Sequence, residues 1–311
     1  MYDTIIIGGG PAGISTAIYA TRYELNTLLI TKNIGGTTQE AYTIENYPGF
    51  KSIQGPELTL KMQEHLHYLK IETKLENVTK VEKKEENFEV KTESATYQAK
   101  SIILATGTQV RKLEIPGEDR LEGKGVVYCA TCDAPFYKDK VIAVLGGGNS
   151  ALTAVIQLND IARKIYLIYR STIRGNAAWV KKIRESDKII EVPQTNVVEV
   201  KGKEKLEKIV LDKLFKGKKE LEVDGLFIEI GTIPAVTPAK NLGVELDEEE
   251  YIKVNEAQET NIPGVYAAGD LTTGSNKLRQ IVTAVAEGAI AANSAYENLK
   301  QKNGESKILE K

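Results

Sequence analysis

The chemistry most legible in this chain lies in five residues, Cys129-Ala130-Thr131-Cys132-Asp133. They include both of its cysteines, with a carboxylate directly after the second. A Cys-x-x-Cys pair can close a small disulfide ring, and such pairs often carry one thiol of depressed pKa. Asp133 is placed to take or give the proton that thiol–disulfide exchange moves. The same pair is also half of a zinc site. A structural zinc site needs two further Cys or His ligands. The only histidines, His65 and His67, sit at i and i+2 on an expected helix, where they do not face each other. A reversible disulfide is therefore the working expectation, with no metal.

Composition narrows the setting. With 41% apolar and 27% charged residues, the chain reads as an ordinary globular protein. Its 311 residues suggest two domains. The net charge of −2 calls for neither nucleic acid nor an anionic membrane as partner. Its apolar runs are too short to span a bilayer, and Met1-Tyr2-Asp3 leads straight into a strand without a signal peptide. Two cysteines in one close pair fit a reducing, cytoplasmic location.

Two glycine turns organise what surrounds the pair. Thr4-Ile5-Ile6-Ile7 leads into Gly8-Gly9-Gly10-Pro11-Ala12-Gly13 and a helix of small residues. In such a turn Gly8 permits the tight bend, Gly10 lets a pyrophosphate approach the backbone, and Gly13 lets helix pack on strand. The acidic residue expected at the end of the next strand is missing, and Thr31 stands there as a weaker ribose ligand. The pattern returns at Val141 to Leu145 followed by Gly146-Gly147-Gly148-Asn149-Ser150-Ala151, with Ala151 in the third glycine position. From Gly8 to Thr31 and from Gly146 to Tyr169 the spacing is the same, 23 residues. Two Rossmann-like domains and two nucleotides follow. At the second, Arg170 and Arg174 offer cations suited to a 2′-phosphate.

Each domain also shows a returning strand, Ser101 to Thr108 in the first and Gly225 to Pro234 in the second. Before these lie Lys/Glu-rich alternating stretches, Val78 to Lys91 and Val197 to Val223, which read as antiparallel hairpins with wet outer faces. The last third returns to the first domain. Asn261 to Asp270 reads as a turn, a short strand and a Gly-Asp end, and a small-residue helix runs from about Gln280 through Tyr296. Asp270 is placed to accept bonds from sugar-like hydroxyls or to cap a helix. The tail from Lys300 is expected to fray.

The chain resembles the small, two-domain thioredoxin reductases of bacteria and archaea over residues 2–297. The residues that carry the resemblance are Gly8 to Gly13, Glu45-Asn46-Tyr47-Pro48-Gly49, Ala105-Thr106-Gly107, Cys129 to Asp133, Gly146 to Ala151, Ala268-Gly269-Asp270 and Arg279-Gln280. It implies an α/β protein with an FAD-binding domain, 1–112 plus 239–311, and an inserted NAD(P)H-binding domain, 113–238, that carries the cysteines. By this resemblance Gly10, Pro11, Ala12, Gly13, Gly36, Thr37, Asn46, Thr106, Gly107, Asp270, Arg279 and Gln280 contact FAD. Gly148, Asn149, Ser150, Ala151, Arg170 and Arg174 face the nicotinamide nucleotide. Electrons would pass from NADPH or NADH through FAD to the Cys129–Cys132 disulfide, and on to thioredoxin or a glutaredoxin-like protein. The domains would rotate about joints near Arg111–Pro116 and Ala235–Asn241, and the protein would be a homodimer.

Three positions depart from the family pattern. Its His-Arg-Arg reads Tyr169-Arg170-Ser171, with one residue fewer before Arg174; a usual Glu is Thr153; and a usual Gln is Thr37. One lost guanidinium contact to phosphate is worth about 1.5–3 kcal/mol. That is roughly ten- to hundred-fold in affinity. NADH, a deazaflavin or ferredoxin are therefore alternative donors, and an FAD-dependent dithiol oxidase is a rival on the same fold. A ferredoxin reductase of similar fold would lack the cysteine pair, and a non-catalytic flavin sensor would have lost its donor site.

Overall fold

The computed structural model describes residues 1–41, 44–175 and 177–302. They form two compact units, Met1–Gln109 with Ile233–Lys311, and Val110–Thr232. The boundaries expected from sequence, at 112/113 and 238/239, each fall a few residues further along the chain. Where the chain crosses, the strands Thr108–Val110 and Thr232–Pro234 pair as a two-stranded ribbon.

The first unit is built on a seven-stranded sheet. Its central strand Tyr2–Gly9 runs parallel to Thr27–Ile34 on one side and Thr96–Leu104 on the other. Ile5, Ile6, Leu28, Leu29, Ile30, Ile102 and Ile103 are all fully buried. Such unbroken β-branched and leucine runs suit parallel strands covered on both faces. The strand Thr96–Leu104 is shared along one edge. Its first half pairs antiparallel with Asn87–Thr92, and its second half pairs parallel with Val265–Ala267. Residues from the last third of the chain thus complete the sheet begun by the first.

Two helices cross one face of this sheet in close contact. The Ser15 hydroxyl donates to the Val285 carbonyl at 2.7 Å, and Thr16 donates to Ala12 and Gly288. A side chain on Gly288 would run into the Ala12 carbonyl. The helix Ile281–Lys302 therefore packs directly on Pro11–Arg22, at the end that carries the glycine turn. It continues past Lys300, beyond the frayed end expected there; the rest of that tail, 303–311, lies outside the described residues.

The second unit repeats the plan in a five-stranded sheet of order Ile189–Pro193, Lys164–Tyr169, Val141–Leu145, Gly225–Ile228, Val126–Val127, its pairs parallel. The Lys/Glu-rich stretch Val197 to Val223 is a three-stranded antiparallel sheet, Val197–Lys201, Lys208–Phe215 and Lys218–Glu222, rather than one hairpin. The extra reversal comes at Lys216-Gly217, both with positive φ, which suits a tight turn between strands.

Candidate active site

The redox pair opens a single helical turn. Cys129 is extended and caps Ala130–Asp133, its Sγ accepting the Cys132 N–H at 3.1 Å. The two sulfurs are bonded to each other, with Cα atoms 5.4 Å apart. Cys132 is exposed and Cys129 half-buried, so one sulfur is open to a partner. Asp133 follows with its carboxyl raised above the ordinary value by burial. Thr131, inside the motif, donates to Gln157 at 3.2 Å. The next turn, Ala134–Tyr137, plugs Tyr137 into the core edge-on to Phe227, ring centroids 5.0 Å apart. A side chain at Gly225 would strike that ring. The Tyr137 hydroxyl is pushed up to about 12, by burial first and then by Asp133 and Asp224. Tyr137 thus anchors the downstream side of the motif as a neutral phenol.

A cavity of about 780 Å³ lies in the first unit. That is within the range of cofactor sites. Gly8, Gly10, Pro11, Ala12, Thr31, Gly36, Thr37, Thr106, Gly107, Asp270, Arg279 and Gln280 all line it. Gly13 lies behind the wall. A Cβ there would sit 1.8 Å from the Gly8 carbonyl, so glycine is what lets helix meet strand. Gly8, at φ +117°, likewise abuts the Ala105 carbonyl, whereas a Cβ on Gly10 would meet nothing within 4 Å. The turn is thus tight on its inner side and open where a pyrophosphate would lie. Asn46 reaches the site through Gln280, donating to its Oε1 at 2.7 Å. Thr31 does not end its strand, which runs on to Ile34. Its hydroxyl proton is committed to the Asn33 carbonyl at 2.7 Å, leaving only acceptor lone pairs for a ribose.

Arg279 could donate to an anionic group. Its guanidinium lies over the Tyr251 ring at 4.0 Å, while its buried Nε and Nη2 have no acceptor among the described residues. Buried donors of this kind are costly unless something accepts from them. Asp270 is raised by burial first, with Arg279 pulling the other way and Glu287 adding to the rise. Glu287, almost fully buried, accepts from the Gly269 N–H and the Thr272 hydroxyl and so holds the Gly-Asp turn. These donors, the open glycine and the cavity fit a flavin dinucleotide.

Glu287 and Tyr251 were not among the residues singled out from sequence. Glu287 has a readable signal, since it shares a helix face with Ala284, Ala291 and Ala295, all buried, at spacings of three and four. Tyr251 has none, because its partner is distant in the chain.

The second glycine turn has the backbone of the first. Gly148 caps its helix at φ −94°, ψ −176°, as Gly10 does at φ −77°, ψ −176°. Gly146 has positive φ, and a Cβ on it would meet the Glu229 carbonyl just as one on Gly8 would meet Ala105. Ala151 is buried in the third position, and Gly148, Asn149 and Ser150 are exposed. After the following strand the chain folds back in both units: the Gly35 N–H reaches the Gly9 carbonyl, and the Arg174 N–H reaches Gly147, each at 2.7 Å. This brings Arg174 beside the turn. Arg170 and Arg174 are exposed, and neither is in an ion pair among the described residues. Tyr169, standing in for the expected histidine, is buried and donates to Glu191 at 2.6 Å. Glu191 also holds the Arg184 Nε at 3.0 Å, so that guanidinium is engaged. The turn fits a dinucleotide, with two cations left for any extra phosphate.

A cysteine pair and two dinucleotide turns on paired Rossmann-like units define a flavin-dependent disulfide oxidoreductase. Residues 2–288 match the pyridine nucleotide-disulphide oxidoreductase family, and the chain belongs to it. Membership makes it an FAD-dependent oxidoreductase, of a family whose donor is a pyridine nucleotide. A thioredoxin reductase from Bacillus subtilis is 39% identical over 94% of this chain and 93% of its own. The crystal structure of Lactococcus lactis thioredoxin reductase, in a form described as the FR conformation, superposes with a TM-score of 0.91 at 37% identity, covering 97% of this chain and all of that one. The crystal structure of T. acidophilum thioredoxin reductase gives 0.87 at 36% identity, covering 96% of this chain and 98% of that one.

Proposed function

We propose that this protein is a thioredoxin-disulfide reductase whose working pair is Cys129 and Cys132. The observation that carries the reading is that its two cysteines are bonded to each other beside a half-buried carboxylate. The cavity of residues 1–109 and 233–302 would hold FAD, with Arg279 donating to an anionic part of it and Asp270 accepting from its hydroxyls. The turn Gly146 to Ala151 would hold the nicotinamide nucleotide. When bound, FAD passes the two electrons of the nicotinamide hydride on to the disulfide. Two electrons and two protons then convert the Cys129–Cys132 bond to two thiols. Asp133 takes the proton from one of them, and the resulting thiolate attacks a disulfide of thioredoxin or a glutaredoxin-like protein. A mixed disulfide forms, and the partner's other sulfur leaves and is protonated. The second thiol of the pair then resolves the mixed disulfide, restoring the Cys129–Cys132 bond and releasing reduced partner.

The engaged Tyr169 and Arg184 favour a second reading of the donor alone, with NADH or a non-pyridine donor in place of NADPH. A cytoplasmic site and a homodimer through the first unit complete the proposal. Among the described residues no helix is long and apolar enough to cross a membrane.

The test is an anaerobic titration of the FAD-loaded protein with NADPH and then NADH, following flavin bleaching, then addition of oxidised thioredoxin and counting of thiols. Bleaching followed by two thiols per thioredoxin is expected. Cys132→Ser should keep FAD and produce no thiols. A Cys132→Ser protein that reduced thioredoxin at the wild-type rate would overturn the reading.

A further inference from the structure

Glu118 is a carboxylate only 2% exposed that the reaction above does not use. Its Oε1 accepts the Leu113 N–H at 2.9 Å and the Tyr128 hydroxyl at 2.6 Å, and its Oε2 accepts the Ile115 N–H at 3.2 Å. The two amides belong to the segment by which the chain enters the second unit. The phenol belongs to the residue immediately before Cys129. One buried group therefore ties the entering segment to the first residue of the redox pair.

The surrounding contacts keep this tie short of slack. The Val200 N–H donates to the Pro116 carbonyl at 3.0 Å, and a side chain on Gly117, which has positive φ, would meet the Val200 carbonyl. Lys112 bridges Asp119 and Glu122 at 2.8 and 2.7 Å across the outside of the same loop. On the other side Val126 and Val127 are paired with Leu226 and Phe227 in the sheet. Tyr128 is thus the step between a fixed strand and Cys129, and its hydroxyl is the side-chain bond that holds that step. Burial and Glu118 together keep the hydroxyl protonated.

We propose that Glu118 is a positioning residue for the redox disulfide, setting through Tyr128 how readily the Cys129–Cys132 bond is reduced. Closing a four-residue ring depends on how often the two sulfurs meet. That frequency rises when the backbone entering Cys129 is held in its ring-closed course, and falls when the hold is removed. Loss of the tie therefore shifts the equilibrium toward the dithiol. The inference rests on the reading of this disulfide as the reaction's redox pair.

The experiment equilibrates the full-length, FAD-loaded protein with mixtures of reduced and oxidised dithiothreitol, alkylates free thiols, and counts labelled sulfurs by mass. In this exchange one protein disulfide becomes two thiols while one dithiothreitol becomes its cyclic disulfide, so atoms and electrons balance. Tyr128→Phe removes only the hydroxyl. It should lower the reduced-to-oxidised ratio needed for half-reduction by roughly three- to tenfold, the scale of one net hydrogen bond in a folded protein. Tenfold corresponds to ~30 mV for this two-electron couple. Glu118→Gln should do the same and Glu118→Asp less. Val200→Ala, in the same core, should lower the melting temperature without moving the midpoint. If Glu118→Gln does not fold, Tyr128→Phe and Glu118→Asp decide the matter. A folded Tyr128→Phe with an unchanged midpoint, or a Val200→Ala that moves it equally, overturns this inference while leaving the proposed function standing. A wild-type disulfide inert to the dithiol overturns both.

Discussion

Burial raises the Asp133 carboxyl above its ordinary value, and so towards the range where a general base is most effective. A base must be ionised, so activity is present above its folded pKa and lost as pH falls through it. The raised value moves that acid limb to a higher pH than an ordinary aspartate would give. Asp133→Asn should lower kcat/KM for thioredoxin by about 10²–10⁴-fold and erase the limb, as read from the pH profile of the two proteins. Folding linkage runs in the other direction, because the folded state holds this proton more tightly than the unfolded chain does. The contribution is fully present below the unfolded value and is lost as pH rises through the folded one. Legibility at this scale was uneven. The Cys-x-x-Cys-Asp motif is contiguous, so its chemistry could be read directly. Glu118 acts on residues bent back onto it and Tyr251 on one remote in the chain, and nothing in local composition marks either; Glu287 alone is signalled, by the buried small residues of its helix face.

At the scale of elements, the two glycine turns separate positions that serve the fold from positions that serve the ligand. A Cβ at Gly13 would sit 1.8 Å from the Gly8 carbonyl, whereas at Gly10 it would meet only open space. Gly13→Ala should therefore destabilise the first unit by about 1–3 kcal/mol or more. Gly10→Ala should cost the fold at most about 1 kcal/mol at the helix cap, yet lose tenfold or more in FAD affinity, because its methyl enters the cradle. Urea unfolding and flavin titration on the same two proteins read these effects separately. The turns were legible because their constraint is local: a positive φ and a close approach each demand glycine at a fixed offset from strand and helix. Strand ends were less so. Thr31 looked terminal because apolar residues stop there, but hydrogen bonding to the neighbouring strand carries the backbone on to Ile34. The meander of Val197 to Glu222 hid its second reversal for a similar reason, since wet Lys/Glu strands alternate alike whether two or three are present.

At the scale of the molecule, the two units carry separate cores. A ligand that binds one folded unit stabilises it by ~2.7 kcal/mol at a hundred times its Kd. Differential scanning calorimetry of the flavin-stripped protein should show FAD raising one transition and the nicotinamide nucleotide raising the other. A single transition raised equally by both would show the units to be one cooperative body. The doubled plan was visible in the equal spacing of the two glycine turns. The return of the last third was visible in its small-residue helix and Gly-Asp end, but the sharing of one strand edge between Asn87–Thr92 and Val265–Ala267 follows only from the assembled sheet.

Within the first unit, the Thr106 hydroxyl donates to the Ala235 carbonyl at 2.7 Å and the Ala235 N–H donates to Gly107 at 2.9 Å. The points where the chain departs and comes home are therefore stitched together like the two ends of a buttonhole. The host pays almost no closure entropy that depends on what hangs from the opening. A foreign module with adjacent termini, or a short turn, could be spliced at that seam without reshaping the flavin cradle, which makes this fold a natural chassis for trading one electron-accepting module for another.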